Sequence, residues 1–215
     1  MQQGNTNFQF KPLLQIPDCV EPIETVIETK LLGYWLTTDM KPQKHVDHML
    51  GICYKRLWAI PKLKRAGVSN NDILHFYCIK IRSVLESNCA VYHSMLTEEN
   101  KDDLERIQKI VLKVILDHDY QDYTAACQTL KIQTLDHRRT NICLKFALKC
   151  LASEKFKHMF KPNRLAFNLR DPDKFDVPFA ITTRYKDSPK VFLTRLLNDY
   201  FKNKNSWEAR LLGLS

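Results

Sequence analysis

Several features that define large protein classes are missing from this chain of 215 residues. It has only five glycines, and this scarcity together with a helix-rich residue mix favours a mostly α-helical protein. No apolar run approaches the ~18 residues that a membrane span needs. The N-terminus lacks the basic start and the apolar core of a signal peptide. We therefore expect a protein of the nucleus or cytoplasm that is not secreted and has no membrane partner.

Motifs for catalysis and metal binding are also scarce. There is no GxSxG sequence, no glycine-rich phosphate loop and no CxxC pair, and the seven cysteines suit reduced, buried thiols. His45 and His48 lie three residues apart on a predicted helix, but no further ligand has a suitable spacing. We interpret both histidines as solvated surface residues, and the sequence predicts no catalytic residue and no metal site.

What the chain does have is an unevenly distributed positive charge. The formal net charge is +9 at pH 7, which favours polyanionic partners. Residues 41–66 carry seven Lys or Arg against one Asp, and residues 138–161 carry seven against one Glu. Residues 97–123 carry four basic against eight acidic side chains. This segregation indicates one side that faces a polyanion and another that faces solvent or a protein partner.

Residues 1–40 have a β pattern. Phe8, Phe10 and Leu13–Leu14 begin an extended segment that three prolines keep out of helix. The residues at 25–27 and 31–37 are β-branched and aromatic, which predicts a small antiparallel hairpin or meander. Gly33 would mark a bulge in the second strand or a close approach of the backbone. A Thr-Thr-Asp turn at 37–39 would follow before the first helix.

From Lys41 the apolar period changes to three and four, which predicts helices. The first is basic and amphipathic, and Pro61 should kink or end it near Ile60 because proline lacks a backbone donor. Ser69 and Thr97 are predicted N-caps. The further predicted helices cover 72–94, a segment that opens at Thr97, 123–130, 134–152 and 191–202.

Five blocks carry a family resemblance, in order along the chain. They follow KLLG in the predicted hairpin and are KRLWAIPKLKRAGVS, FYCIKIRSVLESNCAVYHSMLT, DDLERIQKIVLKVIL, LDHRRTNICLKFALKCL and the tail SPKVFLTRLLNDYF. The series resembles the thumb and C-terminal region of jockey- and CR1-like non-LTR retrotransposon reverse transcriptases. The sequence departs from that family at Ser87, Ala90 and Tyr92, where an aromatic residue, Pro and Trp are usual, and at Pro61, which interrupts a normally continuous helix.

The resemblance implies a fold, a domain division and a site. It implies a β-hairpin remnant of the palm edge at 1–40, a helical thumb domain at 41–160, and a partly irregular tail with one terminal helix at 161–215. The thumb would grip an RNA–DNA hybrid or another nucleic acid through its phosphates. The implied primer-grip-like residues are Lys30, Leu31, Leu32 and Gly33. The predicted nucleic-acid-binding residues are Lys44, Lys55, Arg56, Lys62, Lys64, Arg65, Arg138 and Arg139.

The family's polymerase centre requires an aromatic-x-Asp-Asp hairpin that holds Mg²⁺. Asp102 and Asp103 instead lie in a helical pattern, so we expect no cofactor in this region and no polymerisation without the palm and fingers of the parent enzyme. Two alternatives remain open. One is a non-catalytic nucleic-acid-binding protein, and the other is a helical interaction module whose acidic span 97–123 docks a basic partner.

Overall fold

The computed structural model describes residues 26–163 and 173–204. Within them the protein is mainly helical with one antiparallel two-stranded hairpin, which confirms the predicted fold class. The predicted extended segment between Phe8 and Leu14 lies outside the described residues. The strands are β1 (Glu28–Leu31) and β2 (Tyr34–Thr37). The helices are α1 (Gln43–Leu57), α2 (Ala59–Arg65), α3 (Asn70–Tyr77), α4 (Ser83–Glu86), α5 (Cys89–Tyr92), α6 (Glu98–Leu116), α7 (Tyr123–Thr129), α8 (Leu135–Ala152), α9 (Thr183–Lys186) and α10 (Pro189–Lys202).

The hairpin turns at Leu32 and Gly33, so the predicted bulge at Gly33 is wrong. Both residues have positive φ, +48° and +84°, as in the type I′ turn that suits the twist of a two-residue hairpin. The predicted turn at 37–39 also forms: the Met40 N–H donates to the Thr37 carbonyl at 2.9 Å. The Thr37 hydroxyl donates to the Asp39 carboxylate at 2.7 Å, and this local bond leads the chain towards α1.

The interruption predicted from Pro61 occurs, but it lies at Trp58, and Pro61 is the third residue of α2. Proline at 61 has no N–H to donate to the carbonyl of Leu57, so α1 ends at that residue. The break lies about one turn before the proline because it is the acceptor, four residues earlier, that loses its partner.

The predicted continuous helix at 72–94 is wrong. After α3 the chain makes a π-helical turn at Cys78–Arg82, continues into α4, and breaks at Asn88, which has a left-handed φ of +57°. Asparagine tolerates this conformation better than most residues. The break changes the direction of the chain, and α5 packs against α8.

Three helix starts are predicted correctly because their signals are local. The side chains of Ser69, Thr97 and Thr134 each accept a hydrogen bond from the backbone N–H three residues later. These caps satisfy amide groups that have no partner inside the helix.

The centre of the fold is α6, which contacts α1, α2, α3, α7 and α8. A buried polar network crosses it: the Tyr77 hydroxyl donates to Gln108 at 2.7 Å, and Gln108 donates to the Tyr123 hydroxyl at 2.9 Å. Tyr123 in turn donates to the Glu105 carboxylate. The carboxylate also accepts the backbone N–H of Asp136 at 2.6 Å, so α6 caps the start of α8 from outside.

Leu193 and Leu197 of α10 are buried in the same hydrophobic core as α6 and α8. The division into 1–40, 41–160 and 161–215 stays a prediction, although this packing ties the last described helix to the helical bundle. Five of the six described cysteines are buried, as predicted for small apolar side chains. Burial raises the pKa of the Cys53 thiol to about 12.

Candidate nucleic-acid interface

The predicted binding helix α1 has an inner and an outer side. Val46, Met49 and Cys53 are buried in the core, which fixes the rotation of the helix. Lys44 and Lys55 consequently lie on the opposite, exposed side. They are eleven residues apart, close to three full turns, so they project in nearly the same direction about 16 Å apart along the axis.

The hairpin adds a third cation to this surface. The ammonium groups of Lys30 and Lys44 lie 5.7 Å and 5.5 Å from the ring centroid of Trp35. Lys30 is also 3.4 Å from the Nε2 atom of His48 on α1. The structure therefore brings together Lys30 and Lys44, which the sequence assigned to two separate sites. Trp35 and His48 join them, and sequence reasoning did not single out either residue for binding.

Lys62 continues the surface beyond the break between α1 and α2. Its ammonium lies 3.9 Å from the ring centroid of the exposed Trp58. We call the set Lys30, Lys44, Lys55 and Lys62 the basic face. Lys44 is 3.3 Å from Glu28, but both side chains are nearly half exposed, and such a surface pair contributes only ~0–1 kcal/mol. A phosphate could therefore replace Glu28 at small cost.

Three other predicted contacts of α1 and α2 have different surroundings. The Lys64 ammonium donates to the Ile115 carbonyl at 2.7 Å and to Asn70 at 2.7 Å, so it ties α2 to the end of α6. Arg56 is exposed and donates to the Lys80 carbonyl. Arg65 is exposed at the end of α2 and donates to the Pro61 carbonyl at 3.3 Å. Lys64 in particular has a structural role.

The predicted contact at Arg139 is wrong. Its side chain is fully buried, and within the described residues its guanidinium has no hydrogen-bond partner and only Asp136 nearby, at 4.0 Å. Arg138 lies beside it and forms a bidentate pair with Glu86 of α4. Neither arginine joins the basic face. Arg139 follows Leu135 and precedes Cys143 at a spacing of four, so the periodicity already placed it on the buried side of α8.

The remaining primer-grip-like residues are exposed. Leu32 is 91% exposed at the tip of the hairpin, Leu31 is also exposed, and Gly33 has the turn conformation described above.

The interpretation of His45 as a surface histidine is wrong. It is buried beside Tyr34, with ring centroids 4.4 Å apart, and burial lowers its pKa to about 4, helped by the nearby His48 and Lys30. His45 and His48 therefore point to different environments. Among the residues that the structure describes, no group of three His, Cys, Asp or Glu side chains could hold a metal ion.

Several carboxylates of the acidic span 97–123 bond to other parts of the chain and are not available to a protein partner. Glu105 is buried at the start of α8, and Asp122 caps α7. Asp103 lies 3.4 Å from Arg106 one turn along α6. Asp102 and Asp103 are both in α6, which confirms the helical prediction and separates them from the hairpin geometry of a polymerase centre.

No family model, no curated protein and no solved structure matches this chain. None of the described helices combines the length and the apolar character required to cross a lipid bilayer. The functional assignment consequently rests on the sequence resemblance and on the geometry of the basic face.

Proposed function

We propose that the chain is the thumb region of a non-LTR retrotransposon reverse transcriptase and that it grips the template–primer duplex. The observation that carries this proposal is the basic face. Lys30 and Lys44 lie over the Trp35 ring, Lys55 lies on the same side of α1 as Lys44, and Lys62 lies over the Trp58 ring just after α1. The five sequence blocks that resemble the family support the polymerase part of the proposal.

The basic face has dimensions that suit the backbone of a duplex. A duplex carries one negative charge per ~1.7 Å of its axis, so the ~16 Å between Lys44 and Lys55 spans about ten phosphates of the two strands. Contacts between lysine ammonium groups and phosphates do not depend on the base sequence. A polymerase needs binding of this kind because it must copy templates of any sequence. An RNA–DNA hybrid would be bound by its backbone and its shape.

The chemistry itself would belong to another part of the enzyme. Paired carboxylates on a palm hairpin would hold Mg²⁺ in the parent polymerase, and Asp102 and Asp103 of α6 do not form such a pair. The chain described here would act by positioning the primer and template for that palm.

The proposal is tested by the salt dependence of binding to a labelled RNA–DNA hybrid, measured by fluorescence anisotropy. Four phosphate contacts predict a slope of log K against log salt of about −4. Lys55→Glu with Lys62→Glu should weaken binding and reduce the slope by roughly two units. The matched control is Lys113→Glu with Lys131→Glu, which makes the same charge change at exposed positions away from the basic face. Equal losses in both variants, or none in the first, would contradict the proposal.

A non-catalytic nucleic-acid-binding protein is the second candidate. The buried packing of α10 on α8 favours it, because the described helices close their own core without a palm. Both candidates predict the same binding, so the coding sequence upstream of Met1 decides between them. An in-frame palm with an aromatic-x-Asp-Asp hairpin supports the polymerase, and stop codons or unrelated exons support the second candidate.

A further inference from the structure

Two aromatic rings lie on the outer side of α1 without packing into the core. Tyr54 is 45% exposed and Trp58, four residues later, is 60% exposed. Tryptophan and tyrosine are usually much more buried than this. A spacing of four residues places the two rings one above the other on the same side of the helix. We call Tyr54 and Trp58 the aromatic step.

The step is surrounded by cations of the basic face. Lys55 directly follows Tyr54 and is exposed, and the Lys62 ammonium lies 3.9 Å from the Trp58 ring centroid. The two exposed rings therefore have lysines close to them in the chain, and Lys62 lies directly over one of the rings. Proteins that bind single strands combine the same two elements, with cations for the phosphates and rings on which successive bases stack.

The position of the step is set by the break before Pro61. Because α1 ends at Leu57, Trp58 lies in the junction between two helices, and Lys62 of α2 can reach back over its ring. The inner side of α1 is held by the buried Met49 and Cys53, so Tyr54 projects from a fixed helix. The rings are thus presented on a rigid element.

We propose that the aromatic step stacks on unpaired bases of a single strand that leaves the duplex held by the basic face. This inference rests on the proposed function, because lysines of the same surface supply the phosphate contacts. Within a duplex the faces of the bases are covered by their neighbours, and a blunt end exposes only the terminal pair, so successive unpaired bases offer the rings far more surface for stacking. The nucleic acid that fits the whole surface is a hybrid with a single-stranded extension.

The test compares a blunt RNA–DNA hybrid with the same hybrid carrying a single-stranded template extension, both measured by fluorescence anisotropy on the full chain. We expect the extension to increase affinity. Tyr54→Ala with Trp58→Ala should remove roughly ten-fold or more of the affinity for the extended hybrid and leave the blunt hybrid unchanged. Trp58→Phe keeps an aromatic face and should recover part of the loss. Circular dichroism checks that each variant keeps its helical content.

The matched control is Phe146→Ala with Phe156→Ala, which removes two exposed aromatic rings near lysines elsewhere in the chain. It should leave both affinities unchanged. The inference is overturned if this control loses as much as the step variant, if the step variant loses equally on both hybrids, or if it loses on neither. Failure of the proposed function has a different signature, since Lys55→Glu with Lys62→Glu would then leave the blunt hybrid unaffected.

Discussion

Replacing Glu105 by alanine should destabilise the fold by about 4 kcal/mol although the residue lies far along the chain from the helix that it caps. Its carboxylate accepts the backbone N–H groups of Leu135 and Asp136 at 3.3 Å and 2.6 Å, and it accepts the Tyr123 hydroxyl. Glu105 therefore joins α6, α7 and the start of α8 at one point.

The magnitude follows from the groups that alanine would leave without a partner. Each buried donor that loses its acceptor costs ~1–3 kcal/mol, and three donors meet at this carboxylate. The negative charge at the N-terminus of α8 adds ~0.3–1 kcal/mol through the helix dipole. Water can reach part of the vacated space, so we take about 4 kcal/mol rather than the full sum. That is a large share of the ~5–15 kcal/mol by which domains are usually stable.

Urea denaturation followed by circular dichroism measures the change in the free energy of unfolding. Glu105→Gln should lose about half as much, because the amide oxygen can still accept one bond but the charge is gone. Asp102→Ala removes the same charge from an exposed position of α6 and should change stability by less than ~0.5 kcal/mol. A loss below ~1 kcal/mol for Glu105→Ala would refute the reasoning, because it would mean that these donors find other partners.

Two further predictions concern buried basic side chains. Burial lowers the pKa of His45 to about 4, so the unfolded chain is protonated first as the pH falls, and stability should drop by ~3 kcal/mol between about pH 6.5 and 4. Burial also lowers the pKa of His93 to about 4, so His93 contributes a loss of the same sign over the same pH range. His45→Phe should therefore remove about half of the pH dependence in denaturation at several pH values, and an unchanged profile would contradict the burial of a neutral His45. Arg139→Met should raise the free energy of unfolding by ~1–3 kcal/mol, since it removes a buried charge whose nearest carboxylate is 4.0 Å away. A lower melting temperature in thermal denaturation would contradict it.

The parts of the fold that the sequence predicted depend on local physics. Ser69, Thr97 and Thr134 mark helix starts because the capping bond forms within three residues of the cap. The effect of Pro61 was predictable because the missing N–H donor is a property of proline itself. The mainly helical class and the hairpin were also predictable, because composition and apolar periodicity are properties of short stretches of the chain.

The parts that the sequence did not predict depend on contacts between distant residues. Asn88 breaks a helix through a backbone conformation that several residue types can adopt, and packing of α5 on α8 selects it. His45 carries a polar ring that usually faces water, and contacts with distant residues bury it. The periodicity of α8 placed Arg139 on the buried side, but nothing local indicated that a charged group would be accepted there. Lys30 and Lys44 both lie near the Trp35 ring because Lys30 is paired with Trp35 across the hairpin. The predicted bulge at Gly33 implied a different pairing of the two strands, so this contact was not predicted.

The packing of α10 on α8 determines when the core of this protein can close during synthesis. The ribosome delivers α8 well before Pro189–Lys202, so the apolar side of α8 stays uncovered while the later residues are made. Exposed apolar surface in an unfinished chain is the form that chaperones bind and that aggregates. A product that stops before Pro189 would therefore keep this part of the core open, as a stalled nascent chain does.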